Sequence, residues 1–378
     1  MNKGAVAMQE NRRIRVLVVD DSTVMCELIG DQIHEASDME LAGKARDGRK
    51  ALELVDALKP DLVTLDIEMP GMDGLTTLDE ILKRRPTPVI MVSSLTQRGA
   101  DVTLKALDRG AMDYVAKPEG SRKLDGAFKH ELLQKIRAMA GTDVKRMLEI
   151  RRARRERSSV AKKHSSSTAS PVALPRSTQF TNWCIAIGIS TGGPPALTEL
   201  FERLRPPLPP VVVVQHLPAN FTGPFARRLD SVSALSVKEA ATGVVLQTNH
   251  AYIAPGGQHL SLQKVVSDVK IRVRGGDPVS GHIPSVDVMM GSVAEIHGER
   301  VLGVVMTGMG RDGSDGCGMI RAKGGYVLGQ DEASSDVYGM NKVAFVEGNV
   351  DKQFSLSGGA DEIMRQIKRL ASACRVGV

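Results

Sequence analysis

The sequence predicts an α/β protein of two doubly wound domains, each a parallel sheet with helices on both faces, joined by a linker. Three observations carry that prediction. Short β-branched runs alternate with helical periodicity in both halves, the rhythm parallel strands need because each crossover must return to the same edge. Polar residues gather where those runs end, the edge at which such sheets hold their sites. Between the halves lies a stretch rich in Arg, Lys and Ser that fits neither period. With 378 residues, 42% hydrophobic and 25% charged, the chain is long enough for two ordinary cores.

In the first half, Ile14–Val19 reads as a buried strand that stops at Asp20-Asp21. Val24, Leu28, Ile29 and Ile33 follow at helical spacing, with Ser22 or Thr23 as cap. Further strands read at 40–45, 62–65, 88–92 and 113–115, and helices at 48–58, 75–84, 100–109 and 128–139. Asp20 and Asp21 close the first strand, Asp66 the third, Ser93 and Ser94 the fourth, and Lys117 follows the fifth. A single strand-end Asp is ordinarily a helix cap, but that role does not explain the whole set. Three carboxylates at one edge repel, and a hard divalent cation such as Mg²⁺, which prefers carboxylate and water oxygens, relieves this. Lys117 then offers a cation, and Ser93 a hydroxyl, to a further anion.

From 141 to 180 the texture changes. Between Lys145 and Lys163 lie nine Lys or Arg against two Glu, which accounts for the whole net charge of +6. Arg151–Arg157 reads as helical, and the Ser run with Pro171 and Pro175 reads as a solvated tether. A sharper reading has its arginines dock on acidic protein surface.

The second half is organised around Cys184-Ile-Ala-Ile-Gly-Ile-Ser190-Thr-Gly-Gly-Pro-Pro. A strand ends near Gly188, and Pro194 and Pro195 open a helix. Gly188, Ser190 and Gly192 fit the G-x-S-x-G elbow, in which glycines permit a strained turn that exposes the serine oxygen. Pro210-Val-Val-Val-Val-Gln215 is a buried parallel strand that brings His216 to the same edge, where imidazole can take a serine proton. Val301–Met306 is another, followed by Thr307-Gly-Met309-Gly-Arg-Asp312-Gly, so Asp312 can orient His216. A plainer reading makes Asp312 part of an Asp-Gly turn and a helix cap, a role for which Asp315 competes. The rival order Ser190, Asp287, His297 would suit an α/β-hydrolase, but it puts the histidine inside a helix. A dinucleotide fold would want an acid where Gln215-His216 stands.

Composition excludes several classes. Only 3% of residues are aromatic, too few for stacking on single-stranded nucleic acid. No helix-turn-helix reads in the second half. Four dispersed cysteines, a polar first segment and no long apolar run predict a soluble, cytoplasmic protein without membrane insertion.

Residues 12–138 resemble a response-regulator receiver domain. The matching residues are Val-Asp20-Asp21-Ser, Leu65-Asp66-Ile-Glu-Met-Pro70-Gly, Met91-Val-Ser93-Ser94 and Tyr114-Val-Ala-Lys117-Pro118. The second half resembles the chemotaxis-type protein-glutamate methylesterases through Ile187-Gly-Ile-Ser190-Thr-Gly-Gly, Val214-Gln-His216-Leu-Pro, Ala254-Pro-Gly-Gly257, Pro284-Ser-Val-Asp287 and Met306-Thr-Gly-Met-Gly-Arg-Asp312. The resemblance implies a flavodoxin-like receiver at 12–140 and a Rossmann-like methylesterase domain at 181–375. It implies phosphorylation of Asp66 by a sensor histidine kinase, with Mg²⁺ held by Asp20, Asp21, Asp66 and the backbone carbonyl of Glu68. Ser93 and Lys117 would contact the phosphoryl group, and Tyr114 would be the switch. Ser190, His216 and Asp312 would be the triad, with the N–H groups of Thr191 and Met309 as oxyanion hole and no cofactor for the ester chemistry. The substrates implied are methylated cytoplasmic helices of chemoreceptors, and often receptor glutamines. Two positions depart from the family's pattern: Ile283 replaces an arginine and Asn341 a proline.

Overall fold

The computed structural model describes residues 12–94, 96–117, 126–149, 152, 180 and 182–376. The chain divides into two compact units, Met1–Arg152 and Ala153–Val378.

In the first unit, strands β1 (Ile14–Val19), β2 (Met39–Ala45), β3 (Leu62–Asp66), β4 (Val89–Ser93) and β5 (Asp113–Ala116) form a parallel sheet in the order β2-β1-β3-β4-β5. Successive connections change direction between β1 and β3, so a crevice opens outside their C-terminal ends. Asp20 follows β1 there and Asp66 ends β3. Val16–Val19 and Leu62–Leu65 are buried on both faces, as a helix-covered sheet requires. The helix expected from residue 100 begins at Gln97, because Thr96 caps it by accepting from the Gly99 N–H at 2.9 Å. Its first turn is polar, so apolar periodicity does not register it. Residues 144–149, grouped with the linker above, are helical, and Val144 and Met147 are buried within this unit. Apart from Arg152, the expected helix at Arg151–Arg157 lies outside the described residues, as does the tether from 153 to 179.

In the second unit the strands are β6 (Cys184–Ile189), β7 (Val211–Gln215), β8 (Ser236–Glu239), β9 (His250–Ile253), β10 (His259–Val265), β11 (Asp268–Arg274), β12 (Val301–Val305), β13 (Tyr326–Gln330) and β14 (Lys352–Phe354). Seven form a parallel sheet, β14-β13-β12-β6-β7-β9-β8, and β10–β11 is a separate antiparallel hairpin. From β6 the chain builds outward through β7, then returns to the other side of β6 at β12. That switch point sets the ends of β6, β7 and β12 side by side. Ala186, Val212, Val214, Val305, Met289 and Val293 pack into one core, together with Leu260, Leu262 and Ile271 from the hairpin. Among the described residues no helix is long and apolar enough to cross a membrane.

Candidate active site

The three strand ends bring Ser190, His216 and Asp312 together. Ser190 Oγ lies 3.0 Å from His216 Nδ1, and His216 Nε2 lies 2.9 Å from Asp312 Oδ2. The ring is therefore reversed relative to the usual triad, in which Nε2 faces the serine. With the ring proton on Nε2, donated to Asp312, the Nδ1 lone pair faces the hydroxyl.

The serine turn differs from the strained elbow. Among the described residues with positive φ are several non-glycines, but Ser190 is not one of them. The left-handed position is Gly192, at φ 76°, which caps the helix Gly193–Phe201 without a side-chain bond. Gly188 stays within β6, where any side chain would run into Val286. The strand-to-helix turn is thus held by bonds rather than by strain at the serine: Ser190 N–H donates to Thr307 C=O at 3.0 Å, and Gly193 N–H donates back to Ser190 C=O at 2.8 Å. Gln215 Nε2 also donates to Ser190 C=O, at 2.9 Å. Neither Thr191 nor Met309 donates its backbone N–H to another backbone group among the described residues, so both are available at this edge.

Asp312 is fully buried, and all four of its acceptor directions are used. Oδ1 accepts from Ser285 Oγ at 2.8 Å and Asp287 N–H at 3.0 Å. Oδ2 accepts from Val286 N–H at 2.7 Å as well as from His216. Burial opposes its charge, but the His216 bond and charge and the two N–H groups outweigh burial, holding its carboxyl below the ordinary range. Asp312 is a helix cap after all, but of the helix Val286–His297 rather than of the one that follows it. Asp315 instead pairs with Arg311, at 2.9 Å.

The favour is returned. Asp287 Oδ1 accepts from Gly313 N–H and Gly316 N–H, both at 2.8 Å, at the start of the helix Ser314–Ala322. Desolvation, and then the neighbouring Asp312 charge, raise the Asp287 pKa above the ordinary value. Sequence reasoning considered Asp287 only as a rival triad acid. Asp287→Ala leaves two buried N–H donors unpaired and is expected to lower stability by about 1–3 kcal/mol in urea denaturation. Asp287→Asn keeps the acceptor oxygen and should stay near wild type; equal losses in both variants would contradict this account.

His297, the rival base, lies at the far end of that helix, where its Nδ1 meets Asn182 C=O at 2.7 Å. It is removed from Ser190 by the length of the helix. Sequence reasoning also missed His282, whose ring stacks on His216 with centroids 3.9 Å apart and planes within 10°. The Asn341 amide, where the family's pattern has proline, donates to Gln330 C=O and Ser335 Oγ, both at 2.8 Å. Gln330 Oε1 in turn accepts from Thr307 N–H at 2.9 Å, so this network braces the Asp312 loop from behind.

At the crevice of the first unit, one ligand oxygen each from Asp20, Asp21 and Asp66 lie within 4.8 Å of one another. Lys117 Nζ sits 2.8 Å from Asp20 Oδ2 and 2.9 Å from Asp66 Oδ2. Burial opposes the charge on Lys117, but Asp66 and Asp20 outweigh it and raise its pKa. Desolvation pushes Asp66 up, Lys117 pulls it down and Asp20 pushes it up again, to about 6. The Glu68 backbone also bonds Asp66, while the Glu68 side chain is exposed. Ser93 Oγ accepts from Thr103 Oγ1 at 2.9 Å, a partner the sequence did not single out. Tyr114 is buried, with Lys135 Nζ 5.0 Å from its ring centroid and bonded to its C=O at 2.6 Å.

Comparisons with known proteins follow the same division. The response regulator receiver domain model matches residues 16–129, and the CheB methylesterase model matches residues 185–363. A protein-glutamate methylesterase/protein-glutamine glutaminase of Pyrococcus horikoshii is 41% identical, over 97% of this chain and 97% of its own. Protein-glutamate methylesterase/protein-glutamine glutaminase 1 of Caulobacter vibrioides is 42% identical, over 96% of this chain and 99% of its own. Among solved structures, the Thermotoga maritima CheB methylesterase catalytic domain is 35% identical, covers 50% of this chain and 98% of its own, and has a TM-score of 0.47. The chain belongs to the protein-glutamate methylesterase/protein-glutamine glutaminase family, with a receiver domain ahead of a CheB methylesterase domain.

Proposed function

We propose that the chain is a phosphorylation-activated hydrolase that removes methyl esters from glutamate side chains of chemoreceptors, and deamidates receptor glutamines, in chemotaxis-type signalling. The single observation that carries this reading is the bonded series Ser190–His216–Asp312 at one sheet edge. Ser190 Oγ attacks the γ-carbonyl as His216 Nδ1 takes its proton. The N–H groups of Thr191 and Met309 hold the oxyanion, each contributing roughly 10²–10³-fold in rate. The C–O bond breaks, His216 returns the proton, and methanol leaves. Water, deprotonated at Nδ1, then opens the acyl-serine and releases glutamate. With a glutamine the leaving group is ammonia. Asp312, ionised and fully bonded, keeps the ring proton on Nε2 and stabilises the imidazolium.

Asp66 is the phosphoryl acceptor in this reading, and a sensor histidine kinase is the donor. Three carboxylates around one ammonium leave a net negative site, which suits Mg²⁺. When bound, Mg²⁺ supplies charge that screens incoming phosphate from the carboxylates; Asp20, Asp21, Asp66 and the Glu68 carbonyl would hold it. Lys117 and Ser93 bind phosphoryl oxygens, and Tyr114 is the switch. In this reading the receiver spans 12–140 and is extended by the helical residues 144–149, the tether runs from there to 180, and the esterase spans 181–375.

The test is methanol release from methylated receptors, with and without a small phosphoryl donor. Release that rises with the donor is expected. No release under either condition would sink the esterase reading.

A further inference from the structure

The hairpin β10–β11 has two unlike faces. Leu260, Leu262 and Ile271 are buried in the core of the second unit, so the alternate positions face outward. In the register Ser261↔Arg272, Gln263↔Lys270 and His259↔Arg274, the outer face of β11 carries Lys270, Arg272 and Arg274 at every second position. The side chains opposite the first two are small or neutral. Arg272 and Arg274 are exposed, Lys270 is half-buried, and among the described residues none of the three is ion-paired. Arg311, by contrast, pairs with Asp315 and Glu347, and Arg321 with Asp351. Asp268 stands alone at the far end of the row.

The row leads to the site. After Arg274 the chain passes directly to Ser280, which donates to Asp287 at 2.8 Å, then to His282 on His216 and Ser285 on Asp312. The base of the hairpin is tied to the same place. His259, opposite Arg274, accepts from Ser285 N–H at 3.2 Å and donates to Asp277 C=O at 2.9 Å. Alternate strand positions are about 6.6 Å apart. Carboxylates three or four residues apart on one face of an α-helix repeat about every 5–6 Å. A row of cations with that spacing complements a glutamate-rich helix face.

We propose that Lys270, Arg272 and Arg274 dock the acidic receptor helix beside the esterified glutamate, so that free carboxylates sit on the hairpin while the neutral ester enters the triad. This rests on the reading of the chain as a receptor methylesterase. The full chain, with a small phosphoryl donor, is assayed on a soluble methylated receptor fragment and on a small p-nitrophenyl ester. The triple variant Lys270→Glu, Arg272→Glu, Arg274→Glu should raise KM for the fragment about tenfold or more, with kcat unchanged. Added salt should raise KM for wild type but not for the variant. Small-ester hydrolysis should be unchanged, which also reports an intact fold. If the reversal variant loses small-ester hydrolysis too, the triple glutamine variant decides by the same comparison. An unchanged KM in a variant that keeps small-ester activity overturns the proposal. So does an effect seen only with receptors in anionic vesicles, which would make the row a lipid contact. A wild-type chain that releases no methanol defeats the esterase reading itself, a distinguishable failure.

Discussion

Ser190→Ala is expected to reduce methanol release by roughly 10⁴- to 10⁶-fold, and His216→Ala by a similar factor, because the two act as one proton-transfer unit. The double variant should be little worse than either single one. Substrate KM should change little, since neither group does most of its work in the ground state. The contrast is His297→Ala. That imidazole sits at the other end of the helix Val286–His297, bonded to Asn182 C=O, so turnover should stay within about twofold of wild type. Steady-state assays of all four variants check this. Full activity in His216→Ala, or its loss in His297→Ala, would reinstate the rival order of residues.

Asp66→Asn is expected to abolish the response to a phosphoryl donor while leaving basal hydrolysis in place. Asparagine fills the same space but cannot form an acyl phosphate. If phosphorylation acts through a coupling of about 1–3 kcal/mol, wild type should be activated roughly 5- to 150-fold and the variant not at all. Radiolabel from the donor should be retained by wild type and missing from Asp66→Asn. If the unphosphorylated first domain restrains the esterase, deleting residues 1–140 should raise basal activity. A truncated chain with unchanged basal rate would defeat autoinhibition by the first domain.

Strand and helix order was legible because both sheets are buried on two faces, which writes continuous β-branched runs such as Val211–Val214 into the chain. Ser190, His216 and Asp312 drew notice for a related reason: Ser190 and His216 directly follow such runs, and Asp312 lies in the loop beyond Val301–Met306. The turn at Ser190 was misread, because G-x-S-x-G spacing does not say which residue takes the unusual backbone angle; here it is Gly192. Asp287 was legible as a rival triad acid, but not as the cap of another helix. That role depends on two helix ends separated by a strand in sequence. His282 was invisible as a neighbour of His216 for the same reason. The hairpin's outward cations are plain in the pattern Lys270, Arg272, Arg274, yet nothing local says the strand leads to a catalytic edge.

The exchange of caps between Asp312 and Asp287 has an evolutionary consequence. Each aspartate closes the end of the helix on which the other depends. A lineage that abandoned hydrolysis but kept the fold could not let Asp312 drift freely, because two helix N–H groups would lose their acceptor. An intact acid at this position is therefore maintained by folding as well as by turnover. In a descendant that has lost the chemistry, decay should register first at Ser190 and His216, with the two aspartates persisting or changing together.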